Sequence, residues 1–300
     1  MLGSRFDSTQ ITRHKIDEEK SNISYAKYKG KMVVVKRIPR DADDLIPISR
    51  LHPDFERAYP GYQIGTYQDS TDSCFVYQYY GNSLRALLIA IRKIHHYSGE
   101  YPASVILQLY VWGANFLTAL QHLHHEAELV HNDVKLENFV VNAEGIVQPI
   151  DVEGARKEGA LLGLVTQMST LRDARGQLVT HGSIENDLRG AAFVIAQLVL
   201  FGTFDEHSHY DALSTIATET YPAAYHPFIR CAKMLAKKAA EPPAAGKLEF
   251  CLTFLEGCFH TWATKQRLDI PPREDDGQYQ LKNIFFKKPK LETSSSCTIA

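Results

Sequence analysis

From Ala103 to His124 the apolar residues Ile106, Leu109, Trp112, Phe116, Leu117, Leu120 and Leu123 return at intervals of three and four. That spacing predicts a long helix with one continuous apolar face, the most constraining feature of the chain. The sequence ahead of it has a different character. KMVVVKRI (31–38) is a β-branched run behind the turn signal Tyr28-Lys29-Gly30, and CFVYQYY (74–80) is a second such run. Between them there is room for a short helix, which Pro47 would break or end. Gly81-Asn82-Ser83 marks the change to helical periodicity. The expected class is therefore α+β in two lobes, a small strand-rich one at about 10–80 and a larger helical one at about 81–265.

Beyond the long helix, FVV (139–141) and IVQPI (146–150) flank Asn142-Ala143-Glu144-Gly145, a hairpin signal. Asp187 is expected to open an apolar helix, LRGAAFVIAQLVLFG, that stops at Gly202. Residues 226–240 and 248–263 read as helices divided by Glu241-Pro242-Pro243. Periodicity fades after Trp262, so residues 266–300 are expected to form a flexible tail.

Composition narrows the function classes. A net charge of -2 offers no basic excess for phosphate contacts, so no nucleic-acid partner is expected. No apolar run approaches the ~20 residues of a membrane span, and MLGSRFDSTQITRHK lacks a signal-peptide core. Cys74, Cys231, Cys251, Cys258 and Cys297 are scattered and odd in number, which argues for a reducing, cytoplasmic setting without a disulfide framework.

The stretch HNDVKLENF (131–139) lies between the long helix and the hairpin, and Asp151 follows the second hairpin strand. Asp and Asn oxygens are hard donors suited to Mg²⁺, which keeps several waters and shares substrate phosphates. A loop carboxylate such as Asp133 can accept a hydroxyl proton, and Lys135 can neutralise charge on a phosphoryl group. Lys36, at the end of VVVK, can reach a nucleotide phosphate from a strand.

HNDVKLENF resembles the protein-kinase catalytic loop H-R-D-x-K-x-x-N, MVVVK the V-A-I-K strand, and PIDVEGA the D-F-G segment. LHPDF (51–55) is similar to the His-Pro turn of that family, and FVYQYYGNSL to its lobe-connecting hinge. The order agrees over roughly residues 16 to 265. The resemblance implies a two-lobed protein-kinase-like fold and ATP- and Mg²⁺-dependent phosphoryl transfer to protein serine or threonine. By the same resemblance Asp133 is the catalytic base, Lys135 faces the phosphates, Asn138 and Asp151 bind magnesium, and Lys36 holds the ATP phosphates. Gln78 to Tyr80 would supply backbone hydrogen bonds to adenine, with Tyr77 as gatekeeper and Val34 and Val140 as further nucleotide contacts. His131 would be structural, and Asp187 matches the buried aspartate of a central helix.

The chain also departs from the family pattern. Ile16, Glu18 and Ser21 stand where the phosphate-loop glycines would fall, and without glycine the backbone cannot approach phosphate so closely. Asp43 or Asp44, beside Pro47, stands in for the helix glutamate; Val152 and Glu153 replace the aromatic and glycine after Asp151; Asn132 replaces the loop arginine; and no A-P-E precedes Asp187. Two alternatives follow: a pseudokinase acting as a binding or scaffold module, and a small-molecule phosphotransferase.

Other features have plainer readings. His122, His124, His125 and His131 have no tetrahedral spacing, and Cys251 and Cys258 read as core residues. Asp187, taken alone, is a helix-opening residue. The closing Cys297-Thr298-Ile299-Ala300 fits C-a-a-X behind Lys287, Lys288 and Lys290, which offers peripheral membrane attachment through a prenylated Cys297; the alternative is a cysteine in a polar tail.

Overall fold

The computed structural model of the protein describes residues 6–16, 22–39, 51–95, 100–161, 181–201, 210–237 and 244–286. Glu18, Ser21, Asp43, Asp44, Pro47, Gly202, Glu241-Pro242-Pro243, Lys287, Lys288, Lys290 and Cys297 lie outside them, as does the 162–180 stretch ahead of Asp187. The class is α+β, and the described residues fall into two compact units, one ending at Tyr80 and one spanning Gly81–Phe286.

The first unit is a five-stranded antiparallel sheet in the order β1-β2-β3-β5-β4. Its strands are β1 (Ile11–Ile16), β2 (Ile23–Tyr28), β3 (Lys31–Pro39), β4 (Gln63–Gln68) and β5 (Asp72–Gln78), with the short helix α1 (Pro53–Ala58) between β3 and β4. Alternation along β3 does the sorting. Val33 and Val35 are fully buried and pack with Ile11, Ala26, Tyr28, Cys74 and Val76, while Val34 and Lys36 turn to the opposite, half-exposed face. Lys29-Gly30 makes the β2–β3 turn, both residues with positive φ, as a tight hairpin requires.

The second unit is built on α3 (Ala103–His125). Around it lie α2 (Leu84–Ile94), α4 (Ile184–Leu200), α5 (Tyr210–Thr215), α6 (His226–Ala236), α7 (Ala244–Gln266) and a small antiparallel sheet, β6-β7-β8 (Asn82–Ser83, Phe139–Val141, Val147–Pro149). The sequence predicts one apolar face for α3, but the helix is buried on every side; Val105, Tyr110, Val111, Ala114 and Ala119 are as enclosed as the predicted stripe. By length and composition α3 could cross a membrane, in contrast to the sequence reading. Its most apolar stretch is 78% buried within the unit, which makes it a core helix. Each fully buried Leu or Phe contributes about 1.5–3 kcal/mol relative to exposure, so this helix dominates the unit's core.

Three expectations need correction. The helix containing Asp187 is opened by Ser183, whose side chain accepts the Glu185 N–H, so Asp187 lies inside its first turn. Cys251 is buried as expected, but Cys258 is only half-buried; none of Cys74, Cys231, Cys251 and Cys258 forms a disulfide. The tail expected from 266 does not begin there. Gln278, Tyr279, Asn283 and Phe285 are buried against the second unit, and hydrogen bonding rather than an apolar stripe holds them.

Candidate functional site

The opening of the HNDVKLENF loop is fixed from below by α4. Asp187, fully buried, accepts the backbone N–H of His131 at 2.7 Å and of Asn132 at 2.8 Å, and the His124 Nε2 lies 2.8 Å from it. One carboxylate thereby orients two consecutive peptide groups of the loop. The loop also runs hard against α4: a Cβ on Gly190 would meet the Val134 carbonyl oxygen at 2.5 Å, so only glycine allows the approach. Asn132 has φ +65°, a left-handed conformation that Asn tolerates far better than most residues. Its side chain donates to the Val130 carbonyl at 3.2 Å.

This bend presents Asp133 and Lys135 together. Lys135 Nζ is 2.7 Å from Asp133 Oδ2, and Asn138 Nδ2 donates to the same oxygen at 2.8 Å and to the Asp133 carbonyl at 2.9 Å. Both bonds converge on one carboxylate oxygen; Asp133 Oδ1 makes no hydrogen bond among the described residues, and the side chain is 28% exposed. Asn138 closes a 3-10 turn, Leu136–Asn138, and leads directly into β7. Burial opposes the charge on Lys135, but Asp133, Asp151 and Glu137 outweigh it and raise the ammonium above the ordinary lysine value. With the folded value raised, the stabilisation from this ammonium is complete below the ordinary lysine pKa and is lost only as pH rises through the folded value. Lys135 is therefore charged across the physiological range.

Asp151 is brought beside Asn138 by the β7–β8 hairpin. Phe139 pairs with Pro149, the Ile150 N–H donates to the Asn138 carbonyl at 2.8 Å, and His131 Nε2 meets the Ile150 carbonyl at 3.0 Å. Asp151 itself is exposed, with φ +58°. It is followed by a 3-10 turn in which Val152 is fully buried where the family would have its aromatic, and Glu153 is buried too. Asn132 and Asp151 are two of five non-glycine residues with positive φ among those described. Backbone strain of this kind tends to collect at functional sites.

The donor types are those that a magnesium ion takes. Asp151 offers a carboxylate, and Asn138, with its Nδ2 on Asp133, retains its amide oxygen. Mg²⁺ needs only one or two such groups beside water and phosphate. Among the described residues no group of three or more His, Cys, Asp or Glu is placed to hold a metal ion. Val140 is buried in the centre of β7, paired with Ser83 and Gln148.

The remaining expected positions belong to the first unit. Lys36 lies across from Phe75, and Val34 across from Tyr77. At the expected hinge, the Gln78 N–H donates to the Tyr62 carbonyl at 3.0 Å and the Tyr79 N–H to the Met32 carbonyl at 3.3 Å. These two donors are committed to the sheet. Tyr80 stacks on Tyr62 with centroids 5.9 Å apart.

Sequence reasoning missed His124 as the side-chain partner of Asp187, and it missed Asn115 and Gln278. Asn115 and Gln108 carried a usable signal: they are polar residues in an otherwise apolar helix, and such groups are buried only with partners. No protein-family model matches this chain, and no curated protein is significantly similar to it.

Proposed function

We propose that this chain is a divergent protein-kinase-like enzyme that transfers a phosphoryl group from Mg²⁺-ATP to a serine or threonine hydroxyl of a protein. The observation that carries this reading is the arrangement around Asp133. One oxygen is held by Lys135 and Asn138, and the other is left to accept the hydroxyl proton as the acceptor attacks. Lys135, kept cationic by three carboxylates, supplies positive charge where charge develops on the transferred group. Asn138 and Asp151 would hold the magnesium ion, which when bound would supply neutralisation of phosphate charge. The parts given to Lys36, Val34, Tyr80 and the Gln78 carbonyl rest on the sequence resemblance.

A second reading, a nucleotide-independent binding module on the same fold, is favoured by one observation. The N–H groups of Gln78 and Tyr79 are occupied within the sheet, which reduces the donors open to adenine. The two readings part on ligand binding. Under the enzyme reading, Mg²⁺-ATP at ~100 times its Kd stabilises the folded state by about 2.7 kcal/mol, and ATP without the metal stabilises it less. A thermal-unfolding titration measures this directly. No upward shift at millimolar Mg²⁺-ATP would leave the binding-module reading standing. Stabilisation together with phosphate transfer to a protein acceptor supports the enzyme.

A further inference from the structure

The hairpin that brings Asn138 and Asp151 together is short. β7 and β8 have three residues each, and β8 is an edge strand ending in Pro149, which has no N–H to add to the ladder. So short a pairing is weakly self-specified, and a slip of one residue would turn each side chain to the wrong face. The register Val141↔Val147, Val140↔Gln148, Phe139↔Pro149 is what sets Asn138 opposite Ile150 and next to Asp151.

The segment that follows α7 grips the other end of this hairpin. The Gln278 side-chain amide acts as a surrogate strand: its Oε1 accepts the Val147 N–H at 2.8 Å and its Nε2 donates to the Val147 carbonyl at 3.0 Å. The Leu281 N–H donates to the Glu144 carbonyl and the Asn283 N–H to the Ala143 carbonyl, both at 2.8 Å, while the Asn283 side chain reaches the Asn142 carbonyl at 3.3 Å. Asn115 on α3 ties the two pieces together. Its Nδ2 donates to the Gly145 and Tyr279 carbonyls at 2.9 and 2.8 Å, and its Oδ1 accepts the Tyr279 N–H at 2.7 Å. Contact is so close that a Cβ on Gly145, already at φ +88°, would meet the Leu281 oxygen at 2.4 Å. Arg273 lies over the Tyr279 ring at 4.5 Å and pairs with Glu256, and the Tyr279 hydroxyl is 2.9 Å from His260 Nε2, so the strap is fastened to α7 as well.

We propose that residues 272–286, with Gln278 foremost, are a positioning strap that locks the β7–β8 register and through it sets the spacing of Asn138 and Asp151. The consequence for metal and nucleotide affinity rests on the phosphoryl-transfer reading; the register lock does not. Gln278 touches neither site residue and acts through the hairpin, as outer partners of metal ligands do.

The test compares Gln278→Ala with the unaltered full chain by amide hydrogen exchange and by Mg²⁺-ATP titration. The Ile150 amide, which donates to Asn138, should exchange on the order of tenfold faster in Gln278→Ala, with amides of α4 and α6 unchanged. The apparent Kd for Mg²⁺-ATP should rise on the order of tenfold while the transfer rate at saturation changes less. Gln278→Glu, which keeps the acceptor for Val147 but loses the donor, should fall between the two. Exchange at Ile150 that is unchanged, or that rises equally throughout the unit, overturns the strap. Failure of the unaltered chain to bind Mg²⁺-ATP would sink the phosphoryl-transfer reading, and the Ile150 amide would still decide the strap.

Discussion

Asp133→Asn is expected to cut phosphoryl transfer by on the order of 10²–10⁴-fold, the usual contribution of a positioned general base. The substitution preserves shape, and an amide oxygen can still receive the Asn138 Nδ2, which in addition donates to the Asp133 carbonyl. What disappears is the capacity to take up a proton and the negative charge beside Lys135. If Asp133 acts on the acceptor hydroxyl, as proposed, Mg²⁺-ATP binding should be nearly unchanged, and the loss should appear in kcat rather than in the KM for ATP. Lys36→Met, assigned to the ATP phosphates by resemblance, should impair both. Steady-state transfer to a protein acceptor, with ATP affinity measured separately, checks the pair. Transfer persisting in Asp133→Asn at the unaltered rate would mean that the base has been misassigned.

What could be read from the sequence, and what could not, follows from the range of the forces involved. β3, β5, α3 and the β7–β8 hairpin are written in local patterns: a β-branched run behind Lys29-Gly30, an apolar repeat of three and four, and a turn at Asn142–Gly145. The contiguous loop from His131 to Phe139 was equally legible, because its members lie close enough in sequence to meet through their own backbone. Long-range hydrogen bonding was not. Asn115 and Tyr279 are 164 residues apart, and no periodicity connects them. The strap therefore reads as a polar tail, although its own turn at Glu274–Gln278 and its bonds to the hairpin hold it firmly. At the hinge, likewise, the resemblance supplies three backbone positions but not the sheet partners that take two of their N–H groups. Asp187 shows the limit most clearly, since an aspartate near a helix start matches a cap by pattern while its actual partners come from α3 and the loop.

Asp187→Ala should therefore be the most damaging single change to stability. If Asp187 only opened a helix, its loss would cost about 1 kcal/mol, and Ser183 already performs that task. Instead the carboxylate is fully enclosed and meets three nitrogen groups, with His124 Nε2 and the His131 N–H on Oδ2 and the Asn132 N–H on Oδ1. Removing it strands buried donors at about 1–3 kcal/mol each. That is a large part of the roughly 5–15 kcal/mol that holds a typical domain together. Asp187→Asn should fall between, because an amide keeps one acceptor oxygen but turns a second donor toward groups that already donate. Urea unfolding followed by tryptophan fluorescence is the suitable measurement: Trp112 and Trp262 are the only tryptophans in the chain, and both lie in the Gly81–Phe286 unit, so the signal reports the unit that contains the change. A loss below about 1 kcal/mol would return Asp187 to the role of a helix-opening residue. A loss of several kcal/mol, accompanied by faster exchange of the His131 and Asn132 amides, would establish it as the anchor of the loop that carries Asp133.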